Sequence, residues 1–204
     1  MDRFPNFHLL MEKELRKISG TPRLLLHSCC APCSSSVMEL LAKHFSLTVL
    51  YYNPNIAPEA EFHKRLQELR RLISLMDFPN PVELAVPEYD HGAFLRIAEG
   101  LENVPEGGER CRECFRLRLT EAARWAKEGG YDYFTTTLSV SPHKNSQVLN
   151  RLGMAIGEEF GVKYLFSDFK KKGGFDRSTA LSEQFDLYRQ VYCGCEYSLD
   201  YPGD

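Results

Sequence analysis

Two hydrophobic periods exchange places along the whole chain, and that exchange limits the folds open to it. β-rich apolar runs at residues 24–26, 47–52, 81–86, 131–137 and 162–166 are separated by longer stretches whose apolar residues recur every three or four positions. The first pattern suits buried strands and the second suits helices packed by one face. Strands joined through helices run parallel, with right-handed crossovers. The sequence therefore predicts an α/β fold, a single-domain three-layer sandwich with a mainly parallel sheet.

The helical stretches carry their own stops. Residues 8–20 have helical spacing and end on Gly20, and residues 34–45 return to it through Val37, Leu40, Leu41 and Phe45. Phe62, Leu66, Leu69, Ile73 and Met76 form a longer stripe, and residues 91–101 a short helix. In residues 111–127, Phe115, Leu119, Ala122 and Ala126 share a face ahead of Gly129 and Gly130, and residues 144–160 stop at Gly161. A last helix is expected near 177–188, followed by an irregular tail. No repeat, low-complexity tract or linker divides the 204 residues, so one domain spanning 1–204 is expected, with 168–204 packing back over the active-site edge.

Composition narrows the class. Hydrophobic residues make up 43% and charged residues 26%, and no apolar stretch reaches the roughly 18 residues of a membrane span. Charges interrupt the N-terminus, MDRFPNFHLLMEKELRK, so it lacks the apolar core of a secretion signal and a cytoplasmic protein is expected. The net charge of −3 excludes a uniformly basic surface but leaves room for a local basic face. In a reducing compartment the seven cysteines point to metal or redox chemistry before structural disulfides.

Their placement says more. Ligand sites in open α/β sheets form beyond the carboxyl ends of the strands. HSCCAPC follows the first expected strand, NPN the second, TTLSVSPHKN the fourth and SDFKKK the last. CREC at 111–114 opens a helix, where a spacing of three puts both sulfurs on one face and the helix dipole favours thiolate. CGC at 193–195 puts one glycine between two thiols, a spacing suited to redox exchange. Structural zinc and an iron-sulfur group both answer to sulfur-rich ligation. The count exceeds the four ligands zinc takes, and the thiols come from distant segments at one edge, which favours iron and sulfide. An ATP site would need a glycine-rich first turn, and Cys29, Cys30, Ala31 and Pro32 stand there instead. A zinc-stabilised RNA-binding module and an ATP-dependent tRNA-thiolating enzyme are the two alternatives from other classes.

Taken in order, HSCCAPC, YYNPNI, ERCRECFRLRL, FTTTLSVSPHKN, DFKKKGG and LYRQVYCGC, spread over residues 27–195, resemble the cobalamin-independent QueH-type epoxyqueuosine reductases. The resemblance implies the last step of queuosine biosynthesis, reduction of the epoxide of epoxyqueuosine at the tRNA wobble position. It also implies a fold like that of the nucleotide-binding adenine nucleotide alpha hydrolases, carrying a [4Fe-4S] cluster. By the resemblance, Cys29, Cys30, Cys111 and Cys114 look like the cluster ligands, and Cys193 with Cys195 looks like a redox-active pair able to form a disulfide. An additional mononuclear iron is also implied, with Cys33 and Asp168 as its expected ligands.

The chemistry fits these residue types. Removing an epoxide oxygen as water takes two electrons and two protons, whereas one cluster passes electrons singly. A dithiol closing to a disulfide, or a second iron acting also as a Lewis acid, would make up the difference. His27 and His143, at strand ends, are candidate proton donors or loop ties. Tyr192 and Tyr188 are candidates for proton donation or base stacking, or for core packing. Lys144, Lys170, Lys171, Lys172 and Arg177, with His143, Arg110 and Arg112, flank the expected site and could track phosphates around a splayed anticodon base. The expected partners are tRNA bearing epoxyqueuosine and an unidentified electron donor, with no DNA and no membrane.

Overall fold

The computed structural model describes residues 5–198; residues 1–4 and 199–204, the two ends of the expected domain, lie outside the described residues. Five parallel strands, β1 (Arg23–His27), β2 (Ser46–Leu50), β3 (Val82–Ala85), β4 (Tyr133–Thr136) and β5 (Lys163–Tyr164), form one sheet in the order β3-β2-β1-β4-β5. β1 is central, with Leu26 in register with Val49 on one side and Thr135 on the other.

The period of two sorts β1 between two cores. Leu24 and Leu26 join Val37, Met38 and Leu41 of α2 (Ala31–Leu41) and Leu69 of α3 (Glu59–Leu75). Leu25 turns the other way, against Leu119 and Ala122 of α5 (Glu109–Glu128) and Leu149 of α6 (Ser146–Phe160). Each such leucine is worth about 1.5–3 kcal/mol on burial. Because both faces are covered, β1 reads as a continuous apolar run rather than an alternating one. α1 (Phe7–Leu15) adds Met11 and Leu15 to the first core, and α7 (Gly174–Gln184) packs on α2. α4 (His91–Ala98) leans on α5 and buries Phe94 beside Cys114 and Cys195.

Some boundaries differ from the periodic reading. α2 starts at Ala31 rather than 34, because Pro32 fits a first helical turn where no N–H partner is needed. α1 stops at Leu15, leaving a loop before Gly20, whose φ is +73°. α7 spans 174–184 rather than 177–188; Asp186 at φ +47° turns the chain, and the residues that follow run irregularly against α3. β5 shrinks to two paired residues, Lys163 and Tyr164, in register with Tyr133 and Phe134 of β4. These changes move no strand, and the polar segments expected at one sheet edge do meet there.

Candidate redox centre at the sheet edge

The strand order reverses at β1, whose neighbours β2 and β4 are reached by connections leaving opposite faces of the sheet. The first thiol group stands at the end of β1. Cys30 is the extended residue before α2, with φ −170° and ψ 165°, and Cys33 lies in the first turn of α2. The Sγ atoms of Cys29, Cys30 and Cys33 all lie within 4.8 Å of one another. Across the crevice, Thr137, just past β4, accepts a hydrogen bond from the Cys29 N–H at 3.4 Å and lies 3.6 Å from its sulfur.

Three thiols this close do not titrate alike. The S–H groups of Cys30 and Cys33 donate to Cys29, and the Lys144 ammonium adds its field, so Cys29 is held well below the ordinary thiol range. The same sharing pushes Cys30 up to about 12 and Cys33 well above its usual value. A cation entering the group would displace the remaining protons.

A second thiol group forms from segments some 80 residues apart in sequence. Cys111, Cys114 and Arg118 follow one another at three and four residues on one face of α5. The Gly107 N–H donates to the Cys111 sulfur at 3.2 Å. Burial nevertheless outweighs that bond and the helix end, raising the Cys111 thiol rather than lowering it, and it pushes Cys114 up to about 12. Cys193 exerts its field on both Cys111 and Cys114, so the CGC segment closes on CREC. The Lys144 ammonium donates to the Cys193 sulfur at 3.7 Å. Cys195 is buried in the small core of α4 and α5, and its thiol is pushed up to about 11 by that burial.

The CGC segment is held from behind. Arg65 of α3, with Glu61 at 2.7 Å, donates to the Cys193 carbonyl at 3.1 Å and the Tyr192 carbonyl at 3.4 Å. The Ala57 N–H donates to the Gly194 carbonyl at 2.9 Å. Gly194 has φ +107°, and a Cβ there would meet Ile56 at 2.8 Å and Arg65 Nη1 at 3.0 Å, so the position excludes any side chain. Gln190 Nε2 donates to the Cys30 sulfur at 3.0 Å, tying this segment to the first thiol group as well.

The remaining expected site residues divide sharply. His27 is fully buried; its ring bonds Thr136 Oγ1 at 2.9 Å and the Tyr52 carbonyl at 3.0 Å, and burial drops its pKa to about 3. With both ring nitrogens engaged, it ties three strand ends together. Tyr192 donates to the Ala57 carbonyl at 2.8 Å, and Tyr188 donates to Glu61 at 3.0 Å. Asp168 sits 3.0 Å from the Lys170 ammonium and is not part of the three-sulfur group. Lys170 also donates to the Ser139 and Lys144 carbonyls, both at 3.3 Å. Lys172 pairs with Glu12 at 2.6 Å and Arg177 with Glu39 at 2.5 Å. Lys144, read as a phosphate contact, points instead to sulfur. Arg110 is buried, donating to the carbonyls of Leu101, Glu102 and Val104, and is not a surface cation. His143, Lys171 and Arg112 are exposed.

Sequence reasoning passed over Arg65, Gln190 and Arg118. Gln190 lies inside LYRQVYCGC, and Arg118 lies one helical turn past Cys114. That spacing was the available signal. An arginine on a helix ordinarily reads as solvated, which is why it goes unremarked.

A family model described as epoxyqueuosine reductase QueH matches residues 24–201. The epoxyqueuosine reductase QueH of Streptococcus pyogenes serotype M1 is 42% identical over 195 residues, covering 95% of this chain and 76% of that protein. Those of Staphylococcus epidermidis and Thermotoga maritima are 39% and 32% identical, over 96% and 86% of this chain and 87% and 90% of their own lengths. Among solved structures, the U34-tRNA thiolase NcsA from Methanococcus maripaludis with its [4Fe-4S] cluster matches with a TM-score of 0.55. That match covers 94% of this chain and 68% of the thiolase, and at 13% identity it speaks to the fold alone. With a matched family model spanning both thiol groups, the chain belongs to the epoxyqueuosine reductase QueH family.

Proposed function

We propose that this chain reduces epoxyqueuosine, at the wobble position of tRNA, to queuosine. The observation that carries the chemistry is the gathering of Cys29, Cys30 and Cys33 within 4.8 Å at the end of β1, beside a second thiol group. Sulfur-rich donor sets of this kind suit iron-sulfur groups. Lys144 supplies positive charge beside Cys29 and Cys193 to balance the thiolates that ligation requires. The residues therefore fit a [4Fe-4S] cluster.

By family resemblance, Cys29, Cys30, Cys111 and Cys114 are its ligands, and Cys33 with Asp168 serves an additional iron. The proximity of Cys33 to Cys29 and Cys30 supports an iron held very near the cluster. When bound, the iron-sulfur group supplies electrons one at a time. Cys193 and Cys195 serve as the two-electron store: two S–H bonds break, one S–S bond forms, and both protons leave with the epoxide oxygen as water while the alkene forms. An external donor, still to be identified, restores the dithiol. Lys144 donates to Cys193 Sγ and so stabilises its thiolate as the S–H proton leaves.

Residues 168–198 act as a cover for this edge, fastened through Arg65, Gln190 and the Ala57–Gly194 bond. The tRNA is met by the exposed His143, Lys171 and Arg112, with Lys172 and Arg177 free to exchange their carboxylate partners for phosphate. No helix among the described residues is long and apolar enough to cross a membrane, and a tRNA substrate suits a cytoplasmic enzyme.

The test is an anaerobic reaction of iron-reconstituted protein with tRNA carrying epoxyqueuosine and a chemical reductant, with nucleosides read by mass spectrometry. Queuosine is the expected product. Unchanged epoxide with bound tRNA would move the protein to the RNA-binding modules.

A further inference from the structure

Arg118 is the anomaly of the centre. It is 1% exposed, yet of its guanidinium groups only Nη1 has a partner, Asn53 Oδ1 at 3.3 Å. Its Nε and Nη2 have none among the described residues. A buried charged donor left unpaired forfeits its hydration without recompense, so such a group ordinarily has an acceptor to meet. Asn53 fixes its direction, because its Nδ2 also donates to the Ser28 carbonyl at 2.8 Å, the residue before Cys29. Arg118 is thus anchored to the first thiol loop while rooted on the helix that carries Cys111 and Cys114.

The acidic groups facing it from the surrounding elements are sulfurs, those of Cys114 and Cys111 on α5, Cys193 on the C-terminal segment and Cys29 after β1, and the Lys144 ammonium faces it as a second cation. Burial works against its charge and these sulfurs outweigh that penalty. The Phe115 ring lies off at 5.9 Å from its guanidinium carbon. No carboxylate pairs with it among the described residues.

We infer that Arg118 is a positioning residue whose free Nε–H and Nη2–H groups donate to sulfur of the loaded centre and raise its reduction potential. This rests on the iron-sulfur reading. A fixed positive charge, and hydrogen bonds to sulfur, stabilise the more negative reduced state of a cluster, so their loss drives the potential down. Lys144 adds positive charge to the same centre, but its ammonium already donates to Cys193, whereas Arg118 has two N–H groups still to place.

The test begins with iron and acid-labile sulfide in the wild-type protein. If neither is retained, the iron-sulfur reading fails before Arg118 is questioned. With the cluster present, protein grown on 15N-arginine is reduced and examined by pulsed electron paramagnetic resonance. A guanidinium nitrogen coupling to the cluster is expected, and Arg118→Lys should remove it. No nitrogen coupling in the wild type, or one that survives Arg118→Lys, overturns the inference without reference to activity. In the second measurement, Arg118→Gln should show a more negative midpoint potential at unchanged iron content, with Arg118→Lys lying between it and the wild type. Equal potentials for all three also overturn it.

Discussion

The two thiol groups are built by different means. Cys29, Cys30 and Cys33 lie within one turn and one helix start, so the local path from β1 into α2 brings their sulfurs together. Cys111, Cys114, Cys193 and Cys195 meet only because α5 and the C-terminal segment are both docked, the latter through Arg65, Ala57 and Gln190. The contrast separates ligand affinity from assembly. The first group should hold metal by itself, while the second answers to the packing of a segment that carries little regular structure.

Substitutions in the first group should have the largest effect. Cys29→Ser or Cys30→Ser should abolish both iron binding and epoxide reduction, read by iron content and nucleoside analysis; retained iron would shift the burden to the assembled group. Cys193→Ser and Cys195→Ser should keep the cluster absorbance and lose turnover by at least about 100-fold, as expected for a covalent participant. Loss of the cluster in either would show that these sulfurs are ligands instead of the redox store.

Arg65→Ala should loosen the docked segment. It removes charge-assisted bonds to two carbonyls and leaves Glu61 without its buried partner, at a cost of about 2–3 kcal/mol measured by denaturant unfolding. The segment around 190–195 should become open to protease while the first thiol group still binds metal. Gln190→Leu takes away a single bond to Cys30 and should cost about 1 kcal/mol or less, with slower iron retention as the more sensitive readout.

The smallest effect concerns pH and a partly exposed ion pair on α2 and α7. Arg177 holds the Glu39 carboxyl below its ordinary value of 4.5, so this pair stabilises the fold above that value. The contribution fades as pH falls through the lowered value. Because the pair is partly exposed, it should amount to under about 1 kcal/mol, and Arg177→Gln should flatten that part of the acid unfolding curve. A matching change in iron binding would contradict the separation of this surface from the centre.

Much of this arrangement can be read before folding. The alternation of periods specifies the parallel sheet, and a thiol-rich turn after the first strand locates the site, because both are local signals. What stays hidden is the direction of long polar side chains. Lys144 and Arg110 look like members of a basic rim, yet one turns to sulfur and the other caps a loop, since their destinations depend on residues 193 and 101–104. His27 illustrates the reverse: a histidine at a strand end looks reactive until Thr136, at the end of β4, and Tyr52, just past β2, occupy both ring nitrogens.

Gly194 also sets how the centre can move. With φ at +107° and no space for even a methyl group between Ile56 and Arg65, the ribbon joining Cys193 to Cys195 passes through a slot one hydrogen wide. A side chain there would press on the same Arg65 guanidinium that holds the Cys193 carbonyl, so the tight turn between the two thiols and its docking on α3 are one constraint. The spacing of the Cys193 and Cys195 backbones is thereby tied to α3 as well as to the chain between them.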